Sequence, residues 1–454
     1  MLKLKLSDIA IWTRGHLYGA DTWARSVSID SRYLELGALF IAIRGQHVDG
    51  HDFLEDAARH GAVGALVSRP CKHPLPQVLV EDVVTALGDL ASAVRAQYPV
   101  QVLGITGSSG KTTVKTLITA ILSRYAPTHA SSGNYNNEIG LPLSLLSAPD
   151  EVRYMVLEMG AGKPGDISYL AGIARPQIAL VNNVSAAHLE RLETLDGVAE
   201  TKGAIYDALP VNGIAVINAD DAYARAFANR AAPRKILRFG LAAAAAVRAE
   251  NIAADLQGSS FQLLTPAGSV PVNLHLPGPH NLMNALAATA LALAVEISLP
   301  EIVIGLESVV SVPGRFRVIP MPGGWTLIDD TYNANPSSVM AAITMLATVS
   351  APTWLVLGDL AELGAEAMVL HSRLGQRARE AGINKLWTLG RLSRYAGEAF
   401  GKGAQHFEDQ NELVEALAAA LTPGLTCLVK GSRAAAMERV VEALMKRPGG
   451  AYAA

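Results

Sequence analysis

Residues 104–113, GITGSSGKTT, bring three glycines, five hydroxyl side chains and one lysine together between an apolar run, VQVL, and an amphipathic one, VKTLITAILSRY. After a strand, glycines let the backbone approach a phosphate, successive N–H groups turn into the loop, and the following helix directs its positive end there. The stretch reads as a phosphate-binding loop. Gly107, Ser108, Ser109, Gly110 and Thr113 frame a nucleotide, Lys111 meets its β- and γ-phosphates, and Thr112 meets Mg2+. Five residues rather than four separate Gly104 from Gly110, so the common G-x-x-x-x-G-K-[ST] spacing is missed. The assignment rests instead on strand, Gly-Lys-Thr and helix occurring together, the helix showing one apolar face through Val114, Leu117, Ile118, Ile121 and Leu122.

Other chemistry-bearing residues stand at the ends of apolar runs. Glu158 closes YMVLE and His188 follows IALVNNVSAA. In an open parallel sheet, ligands bind beyond the carboxyl ends of the strands, so both can converge on the phosphate loop. Glu158 is a hard oxygen ligand suited to Mg2+ and His188 a softer second one; taken alone, they read equally as a helix-capping carboxylate and a hydrogen-bonded loop residue. Lys202 falls on the apolar face of LDGVAETKGAIYDAL, between Val198 and Ile205. An amine held against apolar surface loses its charge and can react with CO2 to give a metal-binding carbamate. On the pattern alone, a lysine that snorkels to solvent is the favoured reading. Asn281 and Asn284, three apart at a helix start, can read a base edge or cap the helix. Arg315 lies in a Pro-Gly turn, and Asp330, at a strand end, can accept from ribose hydroxyls or form a turn.

These residues need a scaffold, and 454 residues exceed one ordinary core. Short apolar runs and one helical pattern predict a small α/β domain over residues 1–98. Apolar strands alternating with helices (VQVLGIT, RYMVLEM, QIALVNNV, GIAVINAD) predict a parallel-sheet domain over 99–312. SVPGRF interrupts the pattern, and WTLIDD, TWLVLGD, KLWTLG and TCLVKGS predict a doubly wound domain over 313–454. The opening MLKLKL reads as a strand or leading segment, without the apolar core of a signal peptide, and AAAAA at 242–246 as a loop or short helix. A net charge of -3 with 17% charged residues excludes a basic nucleic-acid footprint and points to small-molecule partners. Cys71 and Cys427 lack metal spacing and disulfide density, which fits a reducing cytoplasm. The apolar stretch 282–299 carries Asn284 and Glu296 and reads as a buried helix rather than a membrane span.

GITGSSGKTT, SSGNYNNEIGLPLSLL, LEMG, LVNNVSAAHLE, GVAETKGAIY, PGPHNLMNALAA, DDTYNANPSS, LGDLAELG and VKGSRAAAME follow one another in the order seen in the Mur ligases, and the chain resembles that family along nearly its whole length. The resemblance is strongest to the member that adds D-alanyl-D-alanine to UDP-N-acetylmuramoyl-tripeptide. It implies an N-terminal UDP-binding domain, a central P-loop ATPase domain and a C-terminal Rossmann-like domain, acting in the cytoplasm as a monomer without nucleic acid or membrane insertion. It further implies Lys111, Glu158, His188 and Lys202 as catalytic residues. Two Mg2+ ions would be held by Thr112, Glu158, His188 and Lys202 carrying a CO2-derived carbamate, the role that decides between the two readings of that lysine. Asn281, Asn284, Arg315 and Asp330 would join the loop in binding ATP. Asp30, Ser31, Arg32, Arg44, Gly45 and Asp49 match the UDP segment, and Asn134, Asn136 and Asn137 the muramoyl side, with Asn333 also on the substrate. Asp359 or Glu362 would orient the dipeptide ammonium and Ser432 or Arg433 its carboxylate, Ser432 doubling as the N-cap of RAAAMERVVEALM.

Two positions depart from the family pattern. Gly162 stands where an asparagine is usual, with Lys163 after it, and Arg191 stands where a small residue is common. Two sister enzymes share much of the pattern, the ligase adding the third amino acid and folylpolyglutamate synthase. The former usually carries Asp-Asn-Pro-Arg where this chain has GDLAELG. A nucleotide-binding regulator without catalysis would not need Glu158, His188 and Lys202 together.

Overall fold

The structure, a computed structural model, describes residues 3–186 and 189–447. His188 therefore lies outside the described residues. Three α/β layers follow one another along the chain. The first holds a sheet in the order His16–Tyr18, Gln77–Leu79, Gly64–Val67, Ala38–Ile41, Ser26–Ser28, parallel except for its first pair. The opening Leu-Lys alternation makes only the two-residue strand Leu4–Lys5. Leu6, Ile9 and Ala10 then repeat at helical spacing and bury one face of the helix Leu6–Trp12.

The middle layer is a six-stranded sheet, all parallel, in the order Lys235–Phe239, Ile214–Asn218, Ile178–Val181, Gln101–Thr106, Tyr154–Glu158, Thr128–Ala130. Its strands are apolar on both sides because both sides are covered. Leu103 and Ile105 pack with Val114, Leu117, Ile121 and Leu286 from the helices Lys111–Ser123 and Pro279–Ala294. Val102, Met155 and Leu157 pack oppositely with Ile167, Leu170 and Ile205. The strand order sets the carboxyl ends of Gln101–Thr106, Tyr154–Glu158 and Ile178–Val181 side by side, so whatever follows Thr106, Glu158 and Val181 must meet. The apolar segment at 282 belongs to the buried helix Pro279–Ala294, and among the described residues no helix is long and apolar enough to cross a membrane.

Residues 242–246 form turns, the loop of the two alternatives read from sequence, and the chain then builds an antiparallel three-stranded sheet that the sequence reading did not contain, Arg248–Asp255, Gly258–Thr265 and Gly268–Leu274. Its first strand is mostly exposed and rich in alanine and charge, which hides it from a hydrophobic pattern.

The last layer is a sheet in the order Arg317–Met321, Trp325–Asp330, Thr426–Lys430, Thr353–Gly358, Lys385–Leu389, Ala404–Phe407. It is parallel apart from its first hairpin. The ends at Asp330, Lys430 and Gly358 are neighbours and face the middle layer's phosphate loop across a shared cavity.

Candidate active site

Gly104 lies inside the strand Gln101–Thr106, where a Cβ would stand 3.2 Å from Ile205, Met159 and Pro176. The loop proper begins after Thr106, which explains the missed spacing: the first glycine is there for packing against its neighbours. Gly107 and Gly110 are the loop glycines, at φ 149° and 79°. Gly110 is the N-cap of Lys111–Ser123 with no side chain capping it, so the first N–H groups of that helix are left for an anion. A Cβ at Gly110 would stand 2.3 Å from Asn284 Oδ1. Asn182 and Asn183, directly after Ile178–Val181, strap the loop. Asn182 Nδ2 and Asn183 Nδ2 both donate to Ser109 O, and Asn183 Oδ1 accepts from Ser109 N–H at 2.9 Å. Lys111 Nζ donates to Gly107 O at 2.8 Å. Burial pushes its pKa down, against the opposing charge of Glu158 and with that of Arg315.

Glu158 is 2% exposed yet remains a carboxylate. Burial works to raise its pKa, but the charges of Lys111 and Lys115 and hydrogen bonds from Asn136 Nδ2 (2.8 Å) and Thr112 Oγ1 (3.0 Å) outweigh this and lower it. Lys115, one turn after Lys111, is buried 3.4 Å from Glu158 Oε2 and donates to Ser131 O and Gly133 O, both at 2.8 Å. It thus ties the carboxylate to the loop carrying Asn134, Asn136 and Asn137. No group of three or more His, Cys, Asp or Glu occurs among the described residues. A carboxylate beside a hydroxyl at a phosphate loop is the sparse, hard oxygen set that suits Mg2+, which takes most of its remaining ligands from phosphate and water.

Lys202 is 1% exposed in the helix Leu195–Gly203, and its amine has no hydrogen-bond or ion-pair partner among the described residues. Burial first, and the nearby charge of Lys111 second, push its pKa well below the ordinary lysine value. The break in the apolar face is therefore a buried amine whose charged form is disfavoured, not a snorkelling side chain.

The C-terminal layer reaches this site through two side chains. Arg315 Nη2 donates to Thr112 Oγ1 at 3.2 Å, and its guanidinium lies 3.9 Å over the Tyr332 ring. Its Nε is buried without a partner among the described residues, and burial lowers its pKa. Asn335 caps the helix Pro336–Leu346 and donates through Nδ2 to Ser109 Oγ at 3.1 Å. Between the layers lies a cavity of about 810 Å³. Of the residues singled out in the sequence, it gathers Ser108, Ser109, Gly110, Lys111, Thr113, Asn134, Asn136, Asn137, Glu158, Asn281, Asn284, Arg315, Asp330, Asn333, Glu362 and Arg433.

Some of these are already engaged within the protein, and further residues lie elsewhere. Asn281 and Asn284 are engaged within the protein: Asn284 Nδ2 donates to Asn281 Oδ1, and Asn284 Oδ1 accepts from Asn182. Both oxygens of Asp330 are used, by Phe316 N–H and by the buried Lys430 Nζ at 2.7 Å. Asp359 does not line the cavity, because Leu392 N–H and Ser393 N–H hold its carboxylate. RAAAMERVVEALM divides into the 3-10 turn Arg433–Ala435, at whose N-cap position Ser432 stands without a side-chain cap bond, and the helix Glu438–Lys446, whose N-cap is Met437; Ser432 Oγ donates instead to Asp359 O at 2.6 Å. Asp30, Ser31, Arg32, Arg44, Gly45 and Asp49 also lie away from the cavity, on two adjacent loops at the carboxyl edge of the first sheet. There Asp30 pairs with Arg32 at 2.7 Å, which holds its pKa at about 2, and the backbones of Arg44 and Asp49 pair as an isolated antiparallel bridge. Lys115, Asn182, Asn183, Asn335 and Lys430 were not singled out by sequence. The pair of asparagines straight after an apolar strand was the available signal for the straps.

A phosphate loop at the carboxyl edge of a parallel sheet, reached by an arginine and an asparagine of a second doubly wound layer, defines a P-loop protein whose site is completed by interdomain closure. The sequence matches the Mur ligase family catalytic domain over residues 24–100, the Mur ligase middle domain over 105–292, and the Mur ligase glutamate ligase domain over 314–433. It is 44% identical to the UDP-N-acetylmuramoyl-tripeptide--D-alanyl-D-alanine ligase of Escherichia coli strain K12, across 98% of this chain and 99% of that one. The structure is similar to the UDP-N-acetylmuramoylalanyl-D-glutamyl-2,6-diaminopimelate--D-alanyl-D-alanyl ligase of Acinetobacter baumannii (TM-score 0.88, 33% identity, 98% and 99% covered). It is also similar to the MurF ligase of Thermotoga maritima in complex with ADP (TM-score 0.84, 30% identity, 93% and 97% covered). The chain belongs to the Mur ligase family.

Proposed function

We propose that the protein is an ATP-dependent amide ligase that joins D-alanyl-D-alanine to UDP-N-acetylmuramoyl-tripeptide, making the pentapeptide precursor of peptidoglycan. In this reading residues 1–98 hold the UDP end, residues 99–312 hold ATP, and residues 313–454 hold the dipeptide and close on the nucleotide. The observation that carries it is the meeting of Arg315 with Thr112 beside buried Glu158, which gathers cationic and oxygen groups where a triphosphate and a carboxylate must touch.

An amide does not form from a free carboxylate because oxide is a poor leaving group. The tripeptide carboxylate oxygen therefore attacks the γ-phosphorus, the bond from that phosphorus to the β,γ-bridging oxygen breaks, and ADP leaves. The dipeptide amine then attacks the acyl carbon, phosphate departs, and the amine loses a proton. Bringing two like charges to ~4 Å costs about 4 kcal/mol at an effective dielectric of 20, so the first step is limited by repulsion. Lys111 and Arg315 offset it directly, and the N–H groups at the start of Lys111–Ser123 orient the phosphates. Two Mg2+ ions, when bound, would supply further positive charge between triphosphate and carboxylate, held by Thr112, Glu158, His188 and Lys202 as its carbamate. The burial and lowered pKa of the Lys202 amine support that modification, since only an uncharged amine adds to CO2. Arg433 is the proposed contact for the dipeptide carboxylate and Glu362 for its ammonium, both lining the cavity. Both nucleotide substrates are intracellular, which supports a cytoplasmic location.

The test is phosphate release from ATP in the presence of the tripeptide and a panel of amines. Release dependent on D-alanyl-D-alanine is expected; release equally with single amino acids, or with none, would overturn the assignment.

A further inference from the structure

The cavity extends past the phosphate loop to a second end, where the stretch after the strand Tyr154–Glu158 passes the asparagine loop, Gly160 N–H donating to Asn136 O at 2.7 Å. We propose that Lys163 and Arg191 form a subsite at this end that holds a non-reacting carboxylate of the acceptor peptide. The inference rests on the ligase reading above and deepens it, naming which part of the peptide these side chains read.

Lys163 and Arg191 both line the cavity, and neither side chain has a hydrogen-bond or ion-pair partner among the described residues. The nearest acid is already engaged: Asp166 Oδ2 accepts from Gly162 N–H at 2.8 Å and Lys163 N–H at 2.9 Å, at the start of the helix Asp166–Ala174. Its charge is absorbed by backbone donors and the helix end. Gly162 leaves the space between open, since a Cβ there would stand 4.0 Å from Arg191 Nη1 and 3.9 Å from Asp166 Oδ2. The guanidinium therefore reaches over bare backbone at the point where a longer side chain would intrude. Arg191 belongs to the short helix Leu189–Leu192, whose Glu190 N–H donates to Glu362 O of the C-terminal layer, so closure fixes its approach.

Two cations without partners, one a planar fork, suit a carboxylate. Glu138 lines the same cavity, so an ammonium accompanying that carboxylate is not repelled. An alanyl-glutamyl-diaminopimelate acceptor, the one named for the Acinetobacter relative, offers two such groups once one carboxylate reacts. They are the free carboxylate of the glutamyl residue and the distal carboxylate of the diaminopimelate.

The experiment compares the wild type with R191Q and K163Q in steady-state kinetics and in direct acceptor titration without ATP. Three acceptors are used: the diaminopimelate tripeptide, its lysine counterpart, and the form with a carboxamide on the glutamyl residue. Each substitution is expected to raise KM and Kd for the diaminopimelate acceptor about tenfold, leaving kcat and the KM values for ATP and D-alanyl-D-alanine unchanged, the pattern of lost uniform binding. A penalty that vanishes with the lysine acceptor identifies the distal carboxylate; one that vanishes with the carboxamide identifies the glutamyl group. Unchanged KM and Kd in both variants, or a penalty of the same size with all three acceptors, overturns the subsite. If the wild type releases no phosphate in response to D-alanyl-D-alanine, the ligase reading fails instead.

Discussion

Replacing Lys202 by methionine should make the protein more stable and inactive at once. Lys202 is 1% exposed as a residue, and its amine has no acceptor among the described residues. A buried polar group without a hydrogen bond costs about 1–3 kcal/mol by protein mutational data, and methionine removes that cost at similar length with good helix propensity. In a unit of 150–250 residues each kcal/mol moves the thermal midpoint by about 2–4 °C, so K202M should melt roughly 2–12 °C higher without nucleotide, Mg2+ or CO2. Calorimetry reads this on the transition that ADP shifts upward. The pH dependence carries a sign. The folded-state pKa is lowered, so the folded chain binds fewer protons than the unfolded one, and wild-type stability falls as pH drops below the unfolded lysine value of about 10.4. The advantage of K202M should accordingly shrink as pH rises from 7 towards 10. Ligation should fall by more than about a hundredfold, the lower range for losing one electrostatic contact to reacting groups, and in K202A a short carboxylic acid should restore part of it. A K202M protein less stable than wild type would mean that the amine has a structural partner, and a fully active one would refute the carbamate.

Three further substitutions probe the same site and its supports. Gly110→Ala forces a side chain into φ 79° and within 2.3 Å of Asn284 Oδ1, so ADP affinity measured by titration should fall at least about tenfold, and undiminished affinity would refute the loop geometry. Lys115→Met strands Glu158 and two carbonyls, and breaking a buried pair costs about 3–5 kcal/mol in denaturant unfolding; a loss under about 1 kcal/mol would show the pair to be solvated. His371, buried and neutral, accepts Leu360 N–H at 3.0 Å, and burial lowers its pKa. The folded chain then binds fewer protons than the unfolded one, so stability falls as pH drops below about 6.5. H371Q should flatten that slope in unfolding measured from pH 7 to pH 5, and an unaltered slope would remove His371 as its source.

What could be read from sequence was local. The phosphate loop, its amphipathic helix and the misplaced Lys202 all show within a dozen residues, where periodicity and spacing suffice. What escaped depends on partners distant in the chain. Nothing in VKTLI shows that the amine of Lys115 turns to Ser131 and Gly133, and nothing in LGDLAELG shows that Asp359 will be taken by N–H groups 33 and 34 residues on. Asn335 reads as the start of a helix, which it is, but its second contact to Ser109 spans 226 residues. Of the antiparallel strands after residue 247, the first is exposed and has no apolar period to find, whereas Phe261 with Leu263 and Val272 with Leu274 alternate into the core and carried a signal that the sequence reading passed over.

The way the site is completed bears on how it can work. Arg315 to Thr112 at 3.2 Å, Asn335 to Ser109 at 3.1 Å and Glu190 to Glu362 at 3.4 Å are polar contacts joining the C-terminal layer to the middle one around the cavity. A hydrogen bond in water is worth about 0.5–1.5 kcal/mol net, so these three contribute only a few kcal/mol to closure before the entropy of ordering is subtracted. An equilibrium of that size is within reach of ligand binding, because moving a two-state balance from 1:99 to 99:1 takes about 5.5 kcal/mol of differential affinity. A triphosphate that meets both Lys111 and Arg315 binds the closed form better than the open one and supplies such a difference. Closure then excludes water from the acyl phosphate once ATP is in place, and the same weak contacts let the layers part for product to leave.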